Sequence, residues 1–359
     1  MSQVNFATRL TLDELRTFIP AVAKDLTVVV QSEPGCGKSS LLKMMEEDHG
    51  DAYEYIYVDC PAKDMPDIGM TIPDKDTKQL EFYAASLFNL KSDKPKVVML
   101  DEFMKSPKLL QIIFTRLMLE RMVGDVPLPE GSIVFATSNN ASDGVGDSML
   151  AHAGNRVCIV EMEKPKAKDW LKYATERGIS RIIRSWVEMN PRCLASYRDG
   201  GQEDNPYIFQ PSKTALSFVS PRSLEKVNAI VSRADVLGER ATLAGMAGTI
   251  GESAARDMAV LMSLDKALPD VKKDICKDPE GIEVPDQIVA QVMVMMQAVD
   301  VLETHDELSQ FMKFVQRIPS EEVQAIFFTL MCRVKHAVKL AKNNKAVCDW
   351  ARNNNEMFG

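Results

Sequence analysis

The sequence predicts an α/β fold with a parallel sheet in its first half, followed by helices up to the C-terminal end. Short apolar, β-branched runs alternate with stretches of helical spacing as far as about residue 160. Beyond that point the strand signals largely disappear. Strands that alternate with helices form parallel sheets with right-handed crossovers. We therefore expect an αβα sandwich, then an α-helical lid, then a helical C-terminal part.

The individual elements follow from the same patterns. A helix over residues 12–22 begins after Thr11, a residue type that caps helix N-termini. The strand candidates are residues 26–31, 55–58, 97–100 and 133–137. A glycine-bearing turn follows the first strand and leads into a helix over residues 39–47. The later helical segments are residues 166–177, 179–188, 221–232, 240–265, 285–302 and 321–341.

Composition disfavours several classes of protein. The 359 residues carry a net charge of −8, whereas a protein that neutralises many phosphates usually has a basic surplus, so a nucleic-acid partner is disfavoured. No apolar run approaches the roughly 18 residues that span a bilayer. The seven cysteines form no C-x-x-C pair, and with four histidines a zinc site is disfavoured. The first ten residues lack a signal-peptide pattern, so we expect a cytoplasmic protein with reduced thiols.

A phosphate-binding loop is the strongest motif. Residues 32–39 read Ser-Glu-Pro-Gly-Cys-Gly-Lys-Ser and match G-x-x-x-x-G-K-[ST] except that Ser32 replaces the first glycine. Gly35 and Gly37 let backbone N–H groups turn toward phosphate oxygens. Lys38 is expected to contact the β- and γ-phosphates, and Ser39 to coordinate Mg²⁺. The expected nucleotide-binding residues are Glu33, Pro34, Gly35, Cys36, Gly37, Lys38, Ser39 and Ser40.

Two carboxylates follow the third predicted strand. Four apolar residues, 97–100, precede Asp101 and Glu102, so both acids lie at the C-terminal edge of the sheet, where ligands bind in open α/β folds. Asp101 is expected to hold the hydration shell of Mg²⁺, and Glu102 to orient and deprotonate the attacking water. These positions predict nucleoside triphosphate hydrolysis.

Polar residues end the fourth predicted strand. The segment 135–140 reads Phe-Ala-Thr-Ser-Asn-Asn, and Asn139 is expected to hydrogen-bond the γ-phosphate or the nucleophilic water. A turn-forming Ser-Asn-Asn run is the alternative interpretation.

Together these three motifs, in this order, resemble an AAA+ ATPase. Later segments are similar to the MoxR-like, dynein-related branch of that family. They are Gly154-Asn155-Arg156 with the apolar run 157–160 and Asp169-Trp170-Leu171, Ser220-Pro221-Arg222-Ser223-Leu224-Glu225 after Gly200 and Gly201, and Pro66-Asp67-Ile68-Gly69 before Pro73-Asp74. The composition of residues 118–129 suits a hairpin inserted before the Asn139 strand, another feature of that group.

The resemblance implies roles for two arginines. Arg156 would be an arginine finger that reaches the γ-phosphate bound by the next subunit, and Arg222 would sense the nucleotide of its own subunit from the lid. A guanidinium that neutralises the transferring phosphoryl group speeds the reaction by roughly 10³ to 10⁵. Alternatively, Arg156 forms a structural salt bridge and Arg116 or Arg121 is the finger.

The resemblance also implies an assembly and a division of the chain. We expect a ring, a hexamer by the family pattern, that uses Mg²⁺ and ATP to remodel or activate a protein partner, with a von Willebrand factor A-domain protein as first choice. The expected domains are 1–162 for nucleotide binding, 163–256 for the lid and 257–359 for a helical C-terminal region.

The alternative functions are a nucleic-acid-linked AAA+ motor or loader, a GTP-using restriction-type relative, and a nucleotide-gated scaffold with little turnover. No Asn-Lys-x-Asp guanine signature is present, which favours ATP.

Overall fold

The computed structural model describes residues 8–140, 156–213 and 215–354. The chain divides into two compact units. The first comprises Met1–Pro165 with Pro211–Thr214, and the second comprises Lys166–Gln210 with Ala215–Gly359. The first unit contains a parallel sheet with flanking helices and the second is helical, which confirms the predicted fold class. The three-domain division with boundaries at 162/163 and 256/257 stays a prediction.

The main sheet has five parallel strands. In chain order they are β1 (Val28–Ser32), β2 (Glu54–Asp59), β5 (Lys96–Asp101), β8 (Ile133–Asn139) and β9 (Cys158–Glu161). Their spatial order is β2-β5-β8-β1-β9, so β8 lies between the strand that leads into the phosphate-binding loop and the strand that ends in Asp101. The four predicted strands are confirmed with small shifts of their ends. The fifth, β9, pairs with the outer side of β1.

Helices cover both faces of this sheet. Helix α1 (Leu12–Val22) and helix α2 (Ser40–His49) pack on the face to which Val28 and Val30 point, and helix α3 (Lys108–Glu120) packs on the face of Val29. Successive residues of a strand point to opposite faces, so continuous apolar strands supply both layers of the core. The predicted Thr11 cap is confirmed, because its hydroxyl accepts from the N–H of Glu14.

Two hairpins extend from the first unit. The hairpin predicted within residues 118–129 is confirmed as β6 (Met122–Val123) with β7 (Val126–Pro127). A second hairpin, β3 (Gly69–Pro73) with β4 (Leu80–Ala84), was not expected from the sequence. The Phe82 ring of this hairpin lies against Gly124 in the turn of the other. A Cβ at Gly124 would be 2.3 Å from Phe82 Cε1, and its φ of +59° also favours glycine.

The second unit is built from helices around two apolar clusters. The helices are α4 (Ala167–Glu176), α5 (Arg181–Met189), α6 (Pro221–Val231), α7 (Ala234–Ile250), α8 (Glu252–Asp265), α9 (Ile288–Val301), α10 (His305–Gln316), α11 (Glu321–Cys332), α12 (Lys335–Lys342) and α13 (Lys345–Asn353). One cluster joins α4–α8 and includes Trp186, and the other joins α9–α13 and includes Phe311 and Phe327. Within the described residues, no helix is both long and apolar enough to cross a membrane.

Two predicted helical segments are interrupted in the structure. Segment 240–265 is divided at Gly251, whose φ of 87° ends α7 and precedes α8. Segment 321–341 is divided between Cys332 and Lys335. Helices α10 and α13 were not among the predicted segments. In the two divided segments the apolar spacing continues across the short break, so periodicity alone does not locate the break.

Candidate functional site

The carboxyl ends of three neighbouring strands meet at one edge of the main sheet. Ser32 at the end of β1 is in register with Asn139 at the end of β8. Asp101 ends β5 in register with Asp59 of β2. Because parallel strands deliver their C-terminal residues to the same edge, the predicted loop, acid and amide positions are brought together there.

The loop between β1 and α2 has the curled backbone that phosphate binding requires. Gly35 and Gly37 have φ values of 76° and 96°, in the left-handed region that favours glycine. The Ser40 N–H bonds the carbonyl of Gly37 at 2.9 Å, so the chain turns directly from the loop into the first turn of α2. The N-terminus of a helix presents free N–H groups and a partial positive charge. This arrangement is a site for anionic oxygens.

The Lys38 side chain bonds the first residues of the loop and the end of strand β8. Its ammonium donates to the Ser32 hydroxyl at 2.9 Å and to the Asn139 side-chain oxygen at 2.9 Å. It also donates to the carbonyls of Ser32 and Glu33 at 3.2 and 3.3 Å. The side chain is buried, so its charge acts through protein rather than through bulk water. The Lys38 ammonium therefore lies beside the side-chain amide of Asn139, which comes from strand β8.

Asp101 accepts hydrogen bonds from three hydroxyl groups on three different elements. Its Oδ2 accepts from Ser39 Oγ at 3.1 Å and from the Tyr57 hydroxyl at 2.7 Å. Its Oδ1 accepts from Thr137 Oγ1. These bonds fix the orientation of a buried carboxylate beside the phosphate-binding loop.

The donor set beside the loop fits magnesium. Ser39 and Asp101 offer hard oxygen ligands, and no cluster of three or more His, Cys, Asp or Glu side chains suited to a metal occurs within the described residues. Mg²⁺ prefers such a sparse set, because it keeps several waters and takes other ligands from substrate phosphates. The predicted assignment of Ser39 and Asp101 as metal ligands is chemically consistent with this geometry.

Glu102 adopts an unusual backbone conformation. Its φ of 51° and ψ of 34° are left-handed, which costs a non-glycine residue of order 1–3 kcal/mol. Its N–H bonds Thr137 Oγ1 at 3.2 Å, and its carboxylate bonds the Lys105 ammonium at 2.8 Å. The carboxylate is about one-third exposed, so it is accessible to water. The left-handed conformation of Glu102 coincides with the end of β5 at Asp101.

Two further loop residues, Glu33 and Cys36, have buried side chains. Glu33 forms an ion pair with Lys164 at 3.7 Å, and both side chains are nearly fully buried. Burial raises the pKa of the Cys36 thiol to about 11. A buried thiol with a raised pKa is a poor nucleophile, so Cys36 is a packing residue of the loop. Pro34 and Ser40 are partly exposed at the loop surface.

Arg156 and Arg222 are the remaining site residues that the sequence predicts. Arg156 is exposed and precedes β9, while the adjoining Gly154 and Asn155 lie outside the described residues. Arg222 is the second residue of α6, in the second unit. The roles of Arg156 and Arg222 stay predictions.

The two alternative fingers have partners within the chain. The Arg121 guanidinium donates to the hydroxyl of Thr27 at 2.6 Å and to the carbonyl of Ala23 at 3.0 Å, and burial lowers its pKa. Arg116 is exposed and pairs with Glu120 at 2.8 Å and Asp125 at 3.0 Å. Arg121 is thereby committed to the interior of its own subunit, which disfavours it as a residue that reaches a neighbour.

Sequence reasoning missed four residues that contact the site. Tyr57 and Thr137 bond Asp101, Lys105 bonds Glu102, and Lys164 pairs with Glu33. Thr137 and Tyr57 each lie two residues before the end of a sheet strand, on strands adjacent to β5. A search for hydroxyl-bearing residues near the ends of neighbouring strands would have found them. No local signal identifies Lys164.

No protein-family model and no curated protein sequence matches this chain. Similar solved structures include RuvB from Thermotoga maritima, a Holliday junction branch migration motor, at 14% identity and a TM-score of 0.36 over 78% of each chain. Another is a proposed ATPase from Cytophaga hutchinsonii, at 13% identity and a TM-score of 0.34, covering 89% of this chain and 88% of that one. Identities and TM-scores this low say nothing of function, which rests on the site.

Proposed function

We propose that this chain is a Mg²⁺-dependent ATP hydrolase of the AAA+ type. The observation that carries the proposal is the convergence of Lys38, Ser39, Asp101 and Asn139 at one sheet edge. Lys38 Nζ lies 2.9 Å from Asn139 Oδ1, and Ser39 Oγ lies 3.1 Å from Asp101 Oδ2. These four residues come from a loop and two separate strands, and each supplies a group that phosphoryl transfer needs.

In this proposal the loop binds and orients the triphosphate. The N–H groups of residues 35–39 and the Lys38 ammonium hold the β- and γ-phosphate oxygens, while Ser39 and Asp101 hold the metal. Bound Mg²⁺ would supply positive charge to the phosphate oxygens. Lys38 would exchange its contacts with the Ser32 and Glu33 carbonyls for the phosphates and keep its bond to Asn139.

Glu102 is the residue that we assign to the attacking water. Its carboxylate is accessible and is held by Lys105, so it can accept a proton once water replaces or joins that contact. Asn139 is assigned to hold the water or the γ-phosphate by its side-chain amide. The Thr137 hydroxyl bonds both the Glu102 N–H and Asp101 Oδ1, so one side chain links the two acids.

We further propose that the chain works as a MoxR-like ring, in the cytoplasm, with a chaperone-like action on a protein partner. Arg156 would complete the site of the neighbouring subunit, and Arg222 would report the nucleotide from the lid. The support is the sequence resemblance around these arginines and the confirmed hairpin β6–β7. A hexamer and a von Willebrand factor A-domain partner follow from the same resemblance. ATP is preferred to GTP because the guanine signature is lacking.

Two substitutions test the hydrolase. Lys38→Ala should weaken ATP binding by about a hundredfold, because bonds from an ionised donor contribute roughly 1.5–3 kcal/mol. Glu102→Gln should keep the affinity and lower turnover by about 10² to 10⁴, since an amide cannot accept the proton. Calorimetry and phosphate release measure the two effects.

Lys43→Ala is the matched control for the first substitution, because Lys43 is an exposed lysine on α2. It should leave both binding and turnover unchanged. Equal ATP affinity in the wild type and in Lys38→Ala would refute the phosphate-loop assignment. A wild-type protein that binds ATP but releases no phosphate would instead indicate the scaffold alternative.

A further inference from the structure

The oxygen of Asp101 that faces Ser39 has a second hydrogen-bond partner. Oδ2 accepts from Ser39 Oγ at 3.1 Å and from the Tyr57 hydroxyl at 2.7 Å. Thr137 occupies the other oxygen, Oδ1. Since Ser39 and Asp101 are the proposed metal ligands, Oδ2 is the oxygen on the metal side of the carboxylate. Tyr57 therefore bonds the atom whose position matters most for the cation.

Tyr57 makes this contact from a partly exposed position on β2. It lies on β2, opposite Met99 in the register with β5, and reaches along the strands to the acid at position 101. The residue is 45% exposed, so it is not one of the buried core residues of β2. A phenol that donates to a carboxylate forms a charge-assisted bond, which is shorter and stronger than a neutral one. The observed 2.7 Å fits that description.

Tyr55 provides a contrast on the same strand. It precedes Tyr57 by two residues, so both side chains leave the same face of β2. The Tyr55 hydroxyl lies 3.2 Å from the carbonyl of Met45 and 3.1 Å from that of Gly50, away from the acids. Two similar phenols on one strand thus have different surroundings, and one of them contacts the site.

We propose that Tyr57 is a positioning residue that holds Asp101 for the divalent cation; this inference rests on the proposed hydrolase function. Thr137 and Tyr57 bind opposite oxygens of the carboxylate and together prevent its rotation. When the Ser39 hydroxyl turns from Asp101 to the cation, Tyr57 remains as the partner of Oδ2. Partners that orient metal ligands typically contribute 10- to 100-fold to metal affinity or activity.

The test measures the cation separately from the nucleotide. Mn²⁺, a paramagnetic substitute for Mg²⁺, is titrated into the full chain with a non-hydrolysable ATP analogue, and bound Mn²⁺ is followed by electron paramagnetic resonance. Tyr57→Phe should raise the Mn²⁺ dissociation constant by about tenfold. Binding of the same analogue in excess chelator should be unchanged, because the phosphate loop is intact. A residue with a merely structural role would weaken both.

Two variants serve as references. Tyr55→Phe removes a phenol hydroxyl from the same strand and should leave Mn²⁺ affinity at the wild-type value. Asp101→Asn should lose Mn²⁺ binding and shows that the signal comes from this site. Equal Mn²⁺ affinity in wild type and Tyr57→Phe would overturn the inference while leaving the hydrolase intact. A wild-type chain that binds no Mn²⁺ with the nucleotide would overturn both.

Discussion

Thr137 connects the two acids that end the third predicted strand. Its hydroxyl donates to Asp101 Oδ1 and accepts from the N–H of Glu102 at 3.2 Å. Glu102 sits in the left-handed region, and a residue stays there only when surrounding contacts hold it. One buried hydroxyl therefore supports both the carboxylate assigned to the metal and the backbone turn that presents the proposed base.

Thr137→Val should test this link, because valine keeps the shape and removes the hydroxyl. We expect the free energy of unfolding to fall by about 1–3 kcal/mol, since the Glu102 N–H and a buried carboxylate oxygen lose their partner. Turnover should fall by about tenfold. Urea denaturation and phosphate release measure the two changes.

Thr115→Val is the matched control. Thr115 is also buried, but its hydroxyl bonds the carbonyl of Gln111 within α3, so turnover should be unaffected. Wild-type turnover in Thr137→Val would show that the hydroxyl does not organise the acids.

At the level of elements, one ion pair joins the beginnings of two neighbouring strands. Lys96 starts β5 and is fully buried, and its ammonium bonds the carboxylate of Glu54, which starts β2. Ser92 and Asn89 also donate to that carboxylate. The bond from Lys96, followed by that from Ser92, lowers the pKa of Glu54 to about 2. The pair thus makes the pairing of β2 with β5 sensitive to acid.

The pH dependence follows from the direction of this shift. A carboxyl whose pKa is lowered on folding stabilises the protein at any pH above its ordinary pKa of 4.5. This contribution disappears as the pH falls toward 2. The wild type should therefore be more stable than Glu54→Gln at pH 7. The difference should diminish steadily between pH 5 and pH 3, as measured by urea denaturation.

Glu120→Gln provides a comparison, because Glu120 pairs with Arg116 at an exposed position where ion pairs contribute little. Its stability should stay close to that of the wild type at pH 7. If the deficit of Glu54→Gln were the same at pH 3 as at pH 7, the pair would not be the source of the acid sensitivity.

At the scale of the whole molecule, the residues to which we assign roles lie in both units. The loop and the acids lie in the first unit, and Arg222 lies in the second. Arg156 is exposed, as a residue that reaches a neighbouring subunit must be. In the proposed ring, a complete site consists of one subunit's Lys38 and Glu102 with the next subunit's Arg156.

Mixing inactive subunits tests whether Arg156 acts on a neighbour. Arg156→Ala should bind ATP normally but hydrolyse it at least about a hundredfold more slowly. Glu102→Gln is inactive for a different reason. A mixture of the two contains interfaces where an intact Glu102 pocket meets an intact Arg156, so part of the activity should return in phosphate-release assays.

Arg222→Ala distinguishes the lid role from the finger role. It should weaken both binding and turnover, and mixing it with Glu102→Gln should not restore activity, because a lid arginine serves its own nucleotide. If the Arg156→Ala mixture stays inactive although both parents assemble by light scattering, Arg156 is not the finger. Arg116 is then examined in the same mixing assay.

Much of the site is determined by short stretches of sequence. The run from Val28 through Ser39 contains a strand, a glycine turn and a helix start. Local conformational preferences alone therefore place Lys38 and Ser39 where the loop leads into the helix. Likewise, the apolar residues before Asp101 and before Asn139 assign both to the ends of buried strands. Because parallel strands end at a common edge, the sequence predicts their proximity.

The tertiary structure decided what depends on residues distant in sequence. Tyr57 meets Asp101 across 44 positions and Thr137 meets it across 36, and the strand order and register that bring them together are not encoded locally. The left-handed turn at Glu102 is likewise held by a hydroxyl from another strand. Local sequence therefore identified the groups to which we assign the chemistry. Packing of the sheet determined how each of them is oriented, because orientation depends on partners that only the folded chain supplies.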